Sequence, residues 1–320
     1  MALDTLFPAP RARYVLTGPS GWIGSAMLAA LAARLGSGWD EYVTCFGSTE
    51  RELHAAGKTV HVRALSTLTP DDVDGAHVIH LAYLTREKAA FLGERTFFDT
   101  NLAIDGSVLA AIGARSPASL FVASSGAAQM AQQGHDMHPY GLAKLRQEAR
   151  FLEWGRTAGV PVLAGRIFNL AGPWINKIDG YAIADFTTQA RSTGQIVISA
   201  TRPVFRSYLH VADLCALVLE SAHAGLVHNA TVDLCGATVV EMSDLADCVA
   251  HAVGGNPTIL RGPVDPAHPN AYLGNYTQTK MLAMQSGLCL QPLRQQVADT
   301  VAWLSHRSEG DGPIKLMAGN

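Results

Sequence analysis

The chain has 320 residues, of which 48% are hydrophobic and 16% charged, and its formal net charge is −3. This length is ample for one large α/β unit or for two unequal domains. The charge offers no global attraction for nucleic acid or for an anionic membrane, so neither is an expected partner. A polyanionic ligand must be held by local groups, which suits a small phosphate-bearing metabolite.

Cysteine usage and hydropathy indicate the cellular compartment. The five cysteines are scattered and never form a C-x-x-C pair, so neither a disulfide framework nor a zinc site is expected. Residues 1–13 lack the apolar segment of a signal peptide, and no uninterrupted apolar stretch approaches the roughly 18 residues that span a bilayer. The sequence therefore predicts a cytoplasmic protein with no membrane anchor and no metal site.

Strands and helices alternate through the first half of the chain. Short apolar runs predict strands over 14–17, 42–46, 60–62, 77–82 and 120–123, and a further run leads from 160 to 168. Helical patterns between these runs cover 22–35, about 87–114 and about 139–158. Strands that alternate with helices predict an α/β fold with a doubly wound parallel sheet of the Rossmann type.

The alternation changes after residue 172, where a smaller α/β C-terminal lobe is predicted to begin. Helices over 182–193 and about 241–253 and a strand over 196–198 are expected there, while one segment returns to the sheet. We predict a Rossmann domain over 12–172 with the return segment 207–230, a substrate-binding lobe over 173–206 and 231–310, and a loose tail over 311–320.

Gly18, Gly21 and Gly24 lie between the first predicted strand and the first predicted helix. Glycines there permit a tight turn and close backbone approach to a pyrophosphate, whose charge is held at the helix N-terminus, here at Trp22 and Ile23. The spacing is G-x-x-G-x-x-G, and glycines that only punctuate the turn are the alternative. The position in a βαβ unit favours a dinucleotide site, which makes the first domain dinucleotide-binding.

The end of the second predicted strand bears on the choice of cofactor. NAD sites usually carry an acidic residue there, which binds the ribose 2′-hydroxyl. Here Gly47 or Ser48 takes that position and Arg51 follows, so repulsion against a 2′-phosphate is absent and an arginine is available to pair with it. NADP(H) is therefore favoured over NAD(H). Two alternatives stay open: Arg51 as an ordinary solvated helix residue, and Glu50 as an acid that serves NAD(H).

Tyr140 and Lys144 are four residues apart on a predicted helix and therefore face the same side. A free tyrosine titrates near ~10, and a nearby ammonium lowers that pKa and prepares the phenol for proton transfer. Ser125 follows a predicted strand, at the edge of the sheet where ligands bind, and can hydrogen-bond a substrate carbonyl. A chance Tyr–Lys pair and a serine that only caps a turn are the alternatives.

At this point the sequence resembles the extended short-chain dehydrogenase/reductase superfamily, in the NAD-dependent epimerase/dehydratase branch that handles nucleotide-sugars. The resemblance covers most of the chain. The segments that carry it are 17–24 (TGPSGWIG), His80-Leu81-Ala82, Asn101, 124–128 (SSGAA), Tyr140-x-x-x-Lys144, 166–173 (RIFNLAGP) and 206–213 (RSYLHVAD).

The resemblance implies a role for each matching residue. Tyr140 would be the acid/base, Lys144 would hold the nicotinamide ribose, and Ser125 would hold the reacting oxygen. Leu81 and Ala82 would lie against the cofactor, and Asn101 would be a structural helper. Asn169 and Arg206 would contact the diphosphate of a nucleotide-sugar, although Arg206 as a surface charge in a loop is the alternative. The resemblance also implies a homodimer formed through a four-helix bundle of the helices near 87–114 and 139–158.

Departures from the family pattern reduce the number of reactions that the resemblance allows. Dehydratases of this family have an Asp-Glu pair directly after the catalytic Ser/Thr. Gly126 and Ala127 occupy these positions here, so dehydration is disfavoured. Four residues after Ser125, where the family has a tyrosine, this sequence has Gln129. We expect an NAD(P)-dependent oxidoreductase that reduces a 4-keto nucleotide-hexose. The alternatives are a nucleotide-sugar 4-epimerase with tightly bound NAD and a non-catalytic dinucleotide sensor.

Overall fold

The structure, a computed structural model, describes residues 12–178, 180–226 and 228–310. The chain forms two compact units: the first comprises the described residues up to Arg166 together with Val218–Val232, and the second comprises Ile167–Leu217 and the described residues from Asp233 onward. The predicted tail over 311–320 lies outside the described residues.

The strands, in chain order, are β1 (Tyr14–Thr17), β2 (Val43–Gly47), β3 (Arg51–Ala55), β4 (Lys58–Ala64), β5 (His77–His80), β6 (Ser119–Ser125), β7 (Val162–Ile167), β8 (Asn169–Ala171), β9 (Gln195–Ile198), β10 (Val204–His210), β11 (Ala230–Leu234), β12 (Val239–Glu241), β13 (Thr258–Arg261) and β14 (Asn270–Tyr272). The α-helices are α1 (Trp22–Leu35), α2 (Pro70–Val73), α3 (Arg86–Leu92), α4 (Glu94–Ala114), α5 (Gly126–Gln132), α6 (Pro139–Ala158), α7 (Ala182–Thr193), α8 (Val211–Ala224), α9 (Met242–Val253), α10 (Tyr276–Gln285) and α11 (Leu293–Gly310).

The first unit is organised by an eight-stranded sheet with the order β11-β7-β6-β5-β1-β2-β4-β3. Strand β1 pairs in parallel with β2 and β5, and β5 pairs in parallel with β6, whereas the edge strand β3 runs antiparallel to β4. Every residue of β1 is buried, as expected for a strand whose two faces are both covered by helices. This arrangement confirms the predicted Rossmann-type α/β fold.

Three local features differ from the sequence-based predictions. The helix expected over about 87–114 is divided into α3 and α4 at Gly93, which has a φ of +77° and a ψ of 154° that no helix accommodates. The segment after Ser125, for which the sequence analysis predicts no helix, is the short helix α5. Arg51 begins strand β3, so the alternative that placed it on a helix is wrong; Ala56 and Gly57, both with positive φ, turn the chain back into β4.

The second unit contains smaller sheets. Strand β10 pairs with β12, β14 and β8, and β9 pairs in parallel with β13. Helices α7, α9 and α11 contribute apolar side chains such as Phe186, Leu245 and Val297 to the core cluster of this unit. Because β8 pairs with β10, residues 167–172 and 207–217 group with the second unit, whereas the sequence analysis places them with the dinucleotide-binding domain.

Within the residues that the structure describes, no helix combines the length and the apolar character needed to cross a bilayer.

Candidate active site

The turn between β1 and α1 has no room for a side chain at Gly18 or at Gly24. Gly18 has a φ of +73°, and a Cβ at this position would lie 2.9 Å from the amide nitrogen of Ala82. A Cβ on Gly24 would lie 2.2 Å from the carbonyl oxygen of Gly18. The backbone of the turn is therefore packed directly against the Leu81-Ala82 segment, which follows β5, and against the first turn of α1.

The N-terminus of α1 is suited to an anion. Gly21 is the N-cap residue and offers no side chain to the first amides of the helix, and the first turn carries no acidic residue. The unpaired amide groups of a helix N-terminus and its positive dipole end attract phosphate. Trp22 is buried beside Gly24, and Ile23 is half-buried. This turn fits the pyrophosphate of a dinucleotide.

Arg51 approaches the same turn from β3. Its Nη2 donates a hydrogen bond of 2.6 Å to Ser20 Oγ, while its Nε is buried and has no hydrogen-bond partner among the described residues. Ser48, where an NAD site usually carries its acid, is exposed. Glu50 contacts His61, with 3.2 Å between the carboxylate and Nε2, and both side chains are largely exposed. A guanidinium, rather than a carboxylate, therefore lies beside the glycine turn.

The catalytic candidates all lie in the first unit. Ser125 ends β6 and is the N-cap of α5, where its Oγ accepts a hydrogen bond of 3.2 Å from the Ala127 amide. The capping role is therefore real, but a hydroxyl that accepts one bond can still donate another. Helix α6 lies so close to this cap that a Cβ on Gly141 would be 2.5 Å from the Ala127 carbonyl oxygen. Ser125 and Tyr140 are thus carried by adjoining elements.

Tyr140 lies in the first turn of α6, whose N-terminus is capped by His138 through a 3.1 Å hydrogen bond from the Tyr140 amide. Lys144 follows one helical turn later on the same face. The ring of Tyr83 contacts both: its centroid is 6.5 Å from that of Tyr140 in an edge-on arrangement and 3.6 Å from Lys144 Nζ. The structure therefore brings the predicted pair together and adds a second aromatic ring.

Lys144 is buried, with only 3% of its surface exposed. Its Nζ donates to the Ala123 carbonyl oxygen at 2.6 Å and to Gln147 Oε1 at 2.9 Å. Burial lowers the pKa of Lys144 to about 7, against the opposing attraction of Asp105 and Glu148. A lysine with a pKa near neutrality can raise or lower the pKa of a neighbouring phenol by losing or gaining its own proton.

Glu148 is already paired. Its carboxylate accepts hydrogen bonds from Arg166 Nη2 at 2.7 Å and Arg166 Nε at 2.9 Å, and a third from Ser124 Oγ. The two-point contact with a guanidinium neutralises this buried carboxylate and fixes its geometry. Arg166 is the first residue of the family segment 166–173, and its side chain stabilises a buried carboxylate inside the first unit.

Asn101 is a buried residue of α4, and its Oδ1 accepts a 2.9 Å hydrogen bond from the amide of Leu84. The contact ties the segment after β5 to the helix. Since this segment also contains Tyr83, Asn101 helps to fix the aromatic ring that lies over Lys144. The geometry agrees with a structural role for Asn101.

Asn169 and Arg206 belong to the second unit, on neighbouring strands. In the parallel pairing of β8 with β10, Asn169 lies opposite Tyr208, two residues beyond Arg206. Asn169 Nδ2 donates to the Ser207 carbonyl oxygen at 3.3 Å, and Arg206 Nη1 donates to Asn270 Oδ1 at 3.0 Å. Arg206 is half-buried on a strand, so the alternative that it is a surface charge in a loop is wrong.

Sequence reasoning missed Tyr83, Asp105 and Gln147. Asp105 and Gln147 are exposed by only 3% and 1% and lie near Lys144. A signal was present: Asp105 lies four residues after Asn101 and Gln147 three residues after Lys144, so each shares a helix face with a recognised residue. Among the described residues, no three His, Cys, Asp or Glu side chains are grouped so that they could hold a metal ion.

Known proteins resemble the chain in sequence and in fold. The family described as "NAD dependent epimerase/dehydratase family" matches residues 14–233. GDP-6-deoxy-D-mannose reductase of Pseudomonas aeruginosa is 29% identical over 221 residues, which make up 62% of this chain and 70% of that protein.

Two solved structures share the fold. UDP-N-acetylglucosamine 4-epimerase of Methanobrevibacter ruminantium M1, in complex with UDP-N-acetylmuramic acid, has a TM-score of 0.75 at 15% identity, over 92% of this chain and 99% of that one. RMD of Pseudomonas aeruginosa, complexed with NADPH, has a TM-score of 0.68 at 22% identity, over 93% of this chain and 100% of that one.

The buried Lys144 predicts a pH dependence of stability. In the unfolded chain a lysine titrates near ~10.4, whereas in the folded chain burial brings the pKa of Lys144 to about 7. Between these values the unfolded state binds more protons, so this residue makes the free energy of unfolding rise as the pH rises from about 7 toward 10.

We expect Lys144→Met to remove this rise, as measured by urea unfolding of both proteins from pH 6.5 to 9.5. The exposed Lys280→Met is the matched control and should leave the pH profile unchanged. Parallel profiles for wild type and Lys144→Met would contradict the prediction.

Proposed function

The chain belongs to the NAD dependent epimerase/dehydratase family, and from this membership we propose that it is an NAD(P)-dependent oxidoreductase that reduces a 4-keto nucleotide-hexose. The observation that carries the proposal is the buried Lys144 one helical turn from Tyr140, beside the cap formed by Ser125. The glycine turn supplies the second requirement, an anion site at a helix N-terminus. A dinucleotide sensor would need the turn but not the other three residues.

The residues have distinct roles in the proposed reaction. When bound, the nicotinamide cofactor supplies the hydride. Ser125 donates a hydrogen bond to the substrate carbonyl oxygen and polarises it, and Tyr140 delivers a proton to the same oxygen as negative charge develops there. Lys144, charged, stabilises the phenolate that Tyr140 leaves behind and contacts the cofactor ribose. Tyr140, whose position is fixed by α6, thus supplies the one proton of the reaction, and Ser125, at the end of β6, supplies a hydrogen bond.

NADP(H) is the cofactor that we propose. The 2.6 Å contact between Arg51 and Ser20 supports this choice, because it holds a cation at the edge of the glycine turn, and the buried Nε has no hydrogen-bond partner within the part of the chain that the structure describes. An adenosine 2′-phosphate would gain charge-assisted hydrogen bonds from this guanidinium, and no carboxylate at Ser48 would repel it. NADP(H), which exchanges at each turnover, suits a reductase, whereas a tightly held NAD suits an epimerase.

A nucleotide-sugar is the proposed substrate class. Asn169 offers an amide donor and Arg206 a guanidinium, a combination that suits the diphosphate of such a ligand. The name of the relative that is 29% identical over 221 residues, a GDP-6-deoxy-D-mannose reductase, agrees with this class. Gly126 and Ala127, both buried in the first turn of α5, carry no acid or base for eliminating water, so dehydration is not proposed.

We also propose that the protein works in the cytoplasm. The five cysteines are free thiols, and three of them are buried in the interior. Free thiols persist in a reducing compartment, whereas secreted proteins usually oxidise them.

Removing the phenolic hydroxyl tests the mechanism. We expect Tyr140→Phe to lower kcat for reduction of 4-keto nucleotide-hexoses by about 10²- to 10⁴-fold, since it deletes the proton donor but keeps the ring. The assay follows NADPH consumption, and NADPH binding measured by fluorescence should be nearly unchanged. Turnover equal to that of wild type would refute the role of Tyr140. A wild-type protein that purifies with bound NAD and interconverts sugars would establish the epimerase instead.

Arg51→Ala tests the cofactor preference. Because a hydrogen bond to a charged group contributes about 1.5–3 kcal/mol, the KM for NADPH should rise by roughly 10- to 100-fold while the KM for NADH changes little. The exposed Arg95→Ala on α4 is the control and should alter neither value. An equal effect of Arg51→Ala on both cofactors would mean that the guanidinium does not contact a 2′-phosphate.

We propose a homodimer formed through a four-helix bundle of α4 and α6 from each copy. Leu102 on α4 is 45% exposed and lies four residues after the half-buried Phe98, so the two extend one apolar face. Light scattering should give about twice the mass of the chain, and Leu102→Glu should shift the protein toward monomer because it places a charge in that face. A monomeric wild type would refute the proposal.

A further inference from the structure

A buried chain of hydrogen bonds leads from Lys144 to Asp105. Lys144 has only donors, so its 2.9 Å contact identifies the oxygen end of the Gln147 amide and turns the NH₂ end toward Asp105. Gln147 Nε2 donates to Asp105 Oδ1 at 2.6 Å. The amide therefore connects the lysine of α6 to the carboxylate of α4 in a fixed direction.

At its other end, this series of hydrogen bonds continues from Asp105 through His80 to Thr17. Its Oγ1 accepts hydrogen bonds from the amides of Leu81 and Ala82, at 3.1 and 3.0 Å, which leaves the hydroxyl proton for the 2.8 Å contact with His80 Nδ1. His80 is therefore assigned its proton on Nε2, which donates to Asp105 Oδ1 at 3.2 Å. Gln147 Nε2 and His80 Nε2 therefore both donate to the same oxygen of Asp105.

Asp105 is better placed than Glu148 to compensate the charge of Lys144. The charge of Glu148 is balanced by Arg166, which forms two hydrogen bonds with its carboxylate. Asp105 also faces Arg150, whose buried Nη1 lies 3.7 Å from Asp105 Oδ2, within ion-pair distance but beyond hydrogen-bond distance. Lys144 Nζ also contacts the Ala123 carbonyl oxygen and the face of the Tyr83 ring, whose other neighbour is Tyr140.

We propose that Asp105, acting through Gln147, is a positioning residue that holds Lys144 as an ammonium next to Tyr140. The inference rests on the proposed function only for what the ammonium does; its charge and its position are properties of the protein without ligand. The link also extends to Thr17 and the Leu81-Ala82 segment, so that the glycine turn and the lysine share one buried polar network.

Titrating Lys144 in the protein without cofactor tests the proposal. Lysine labelled with ¹³C at Cε reports the protonation of each side chain by NMR, and Lys144→Arg identifies the signal. Asp105→Asn keeps an acceptor for Gln147 and His80 but removes the charge, so the titration midpoint of Lys144 should fall by about one pH unit. Asp99→Asn, an exposed carboxylate on the same helix, is the matched control and should leave the midpoint in place.

A rescue variant separates charge from structure. Adding Gln147→Glu to Asp105→Asn moves the carboxylate next to Lys144, and the midpoint should return to the wild-type value or above it. In activity assays the high-pH limb of kcat should move to lower pH in Asp105→Asn and return in the double variant, with KM for the sugar little affected. A purely structural role of Asp105 would produce neither the shift nor the rescue.

The outcomes distinguish the two proposals. An unmoved Lys144 midpoint in folded Asp105→Asn overturns the role of Asp105. If that variant does not fold, Gln147→Met keeps the carboxylate and cuts the connection, and an unmoved midpoint there has the same meaning. Because the NMR titration requires no turnover, a wild-type protein that reduces no keto sugar counts against the proposed function and not against this inference.

Discussion

The burial of the Lys144 ammonium is the constraint on which the interior of the first unit depends. A charge removed from water is costly unless each of its donors finds a partner. Here a carbonyl at the end of β6, the amide of Gln147 and the face of the Tyr83 ring surround Nζ. These groups come from three separate elements, so the lysine can be buried only when all three are in place.

Nearby charges follow from the same constraint. Glu148 is the other buried carboxylate near Lys144, and its charge is largely balanced by the two-point contact with Arg166. Asp105 is then left to act on Lys144 through Gln147, and His80 and Thr17 fix the orientation of the carboxylate. Burying any one of these polar side chains alone would cost free energy. Here each forms hydrogen bonds with another of them, which is the condition for placing polar groups in a core.

The glycine turn is the second constraint, and it is steric. Gly18 and Gly24 are required because backbone atoms lie where a Cβ would be. The resulting close packing brings β1, α1 and the Leu81-Ala82 segment together, and Arg51 reaches this turn from an edge strand. Thr17, which ends β1, and His80, which ends β5, lie opposite each other on neighbouring strands, so the glycine turn and the hydrogen bonds around Asp105 meet at the same edge of the sheet.

Local sequence patterns were sufficient to predict those helices and strands whose bounds depend on residues nearby in the sequence. The buried run of β1 and the helices α1, α6 and α7 were predicted with the observed bounds, because apolar periodicity and the flanking Gly or Pro specify them. Strand β3 was missed because its turn uses Ala56 at positive φ, where Asn or Gly is the usual signal. Helix α5 was missed because its small residues give no clear period.

The sequence by itself determined the Rossmann-type fold, the glycine turn, the Tyr140–Lys144 pair and the family, since each is specified by spacing along the chain. Only the tertiary structure decided that Arg51 lies beside Ser20, that Glu148 is paired with Arg166, and that Asp105 reaches Lys144 through Gln147. The physical reason is that the charge state of a buried group depends on partners brought together by packing, and the sequence does not specify how close residues on different helices and strands will lie.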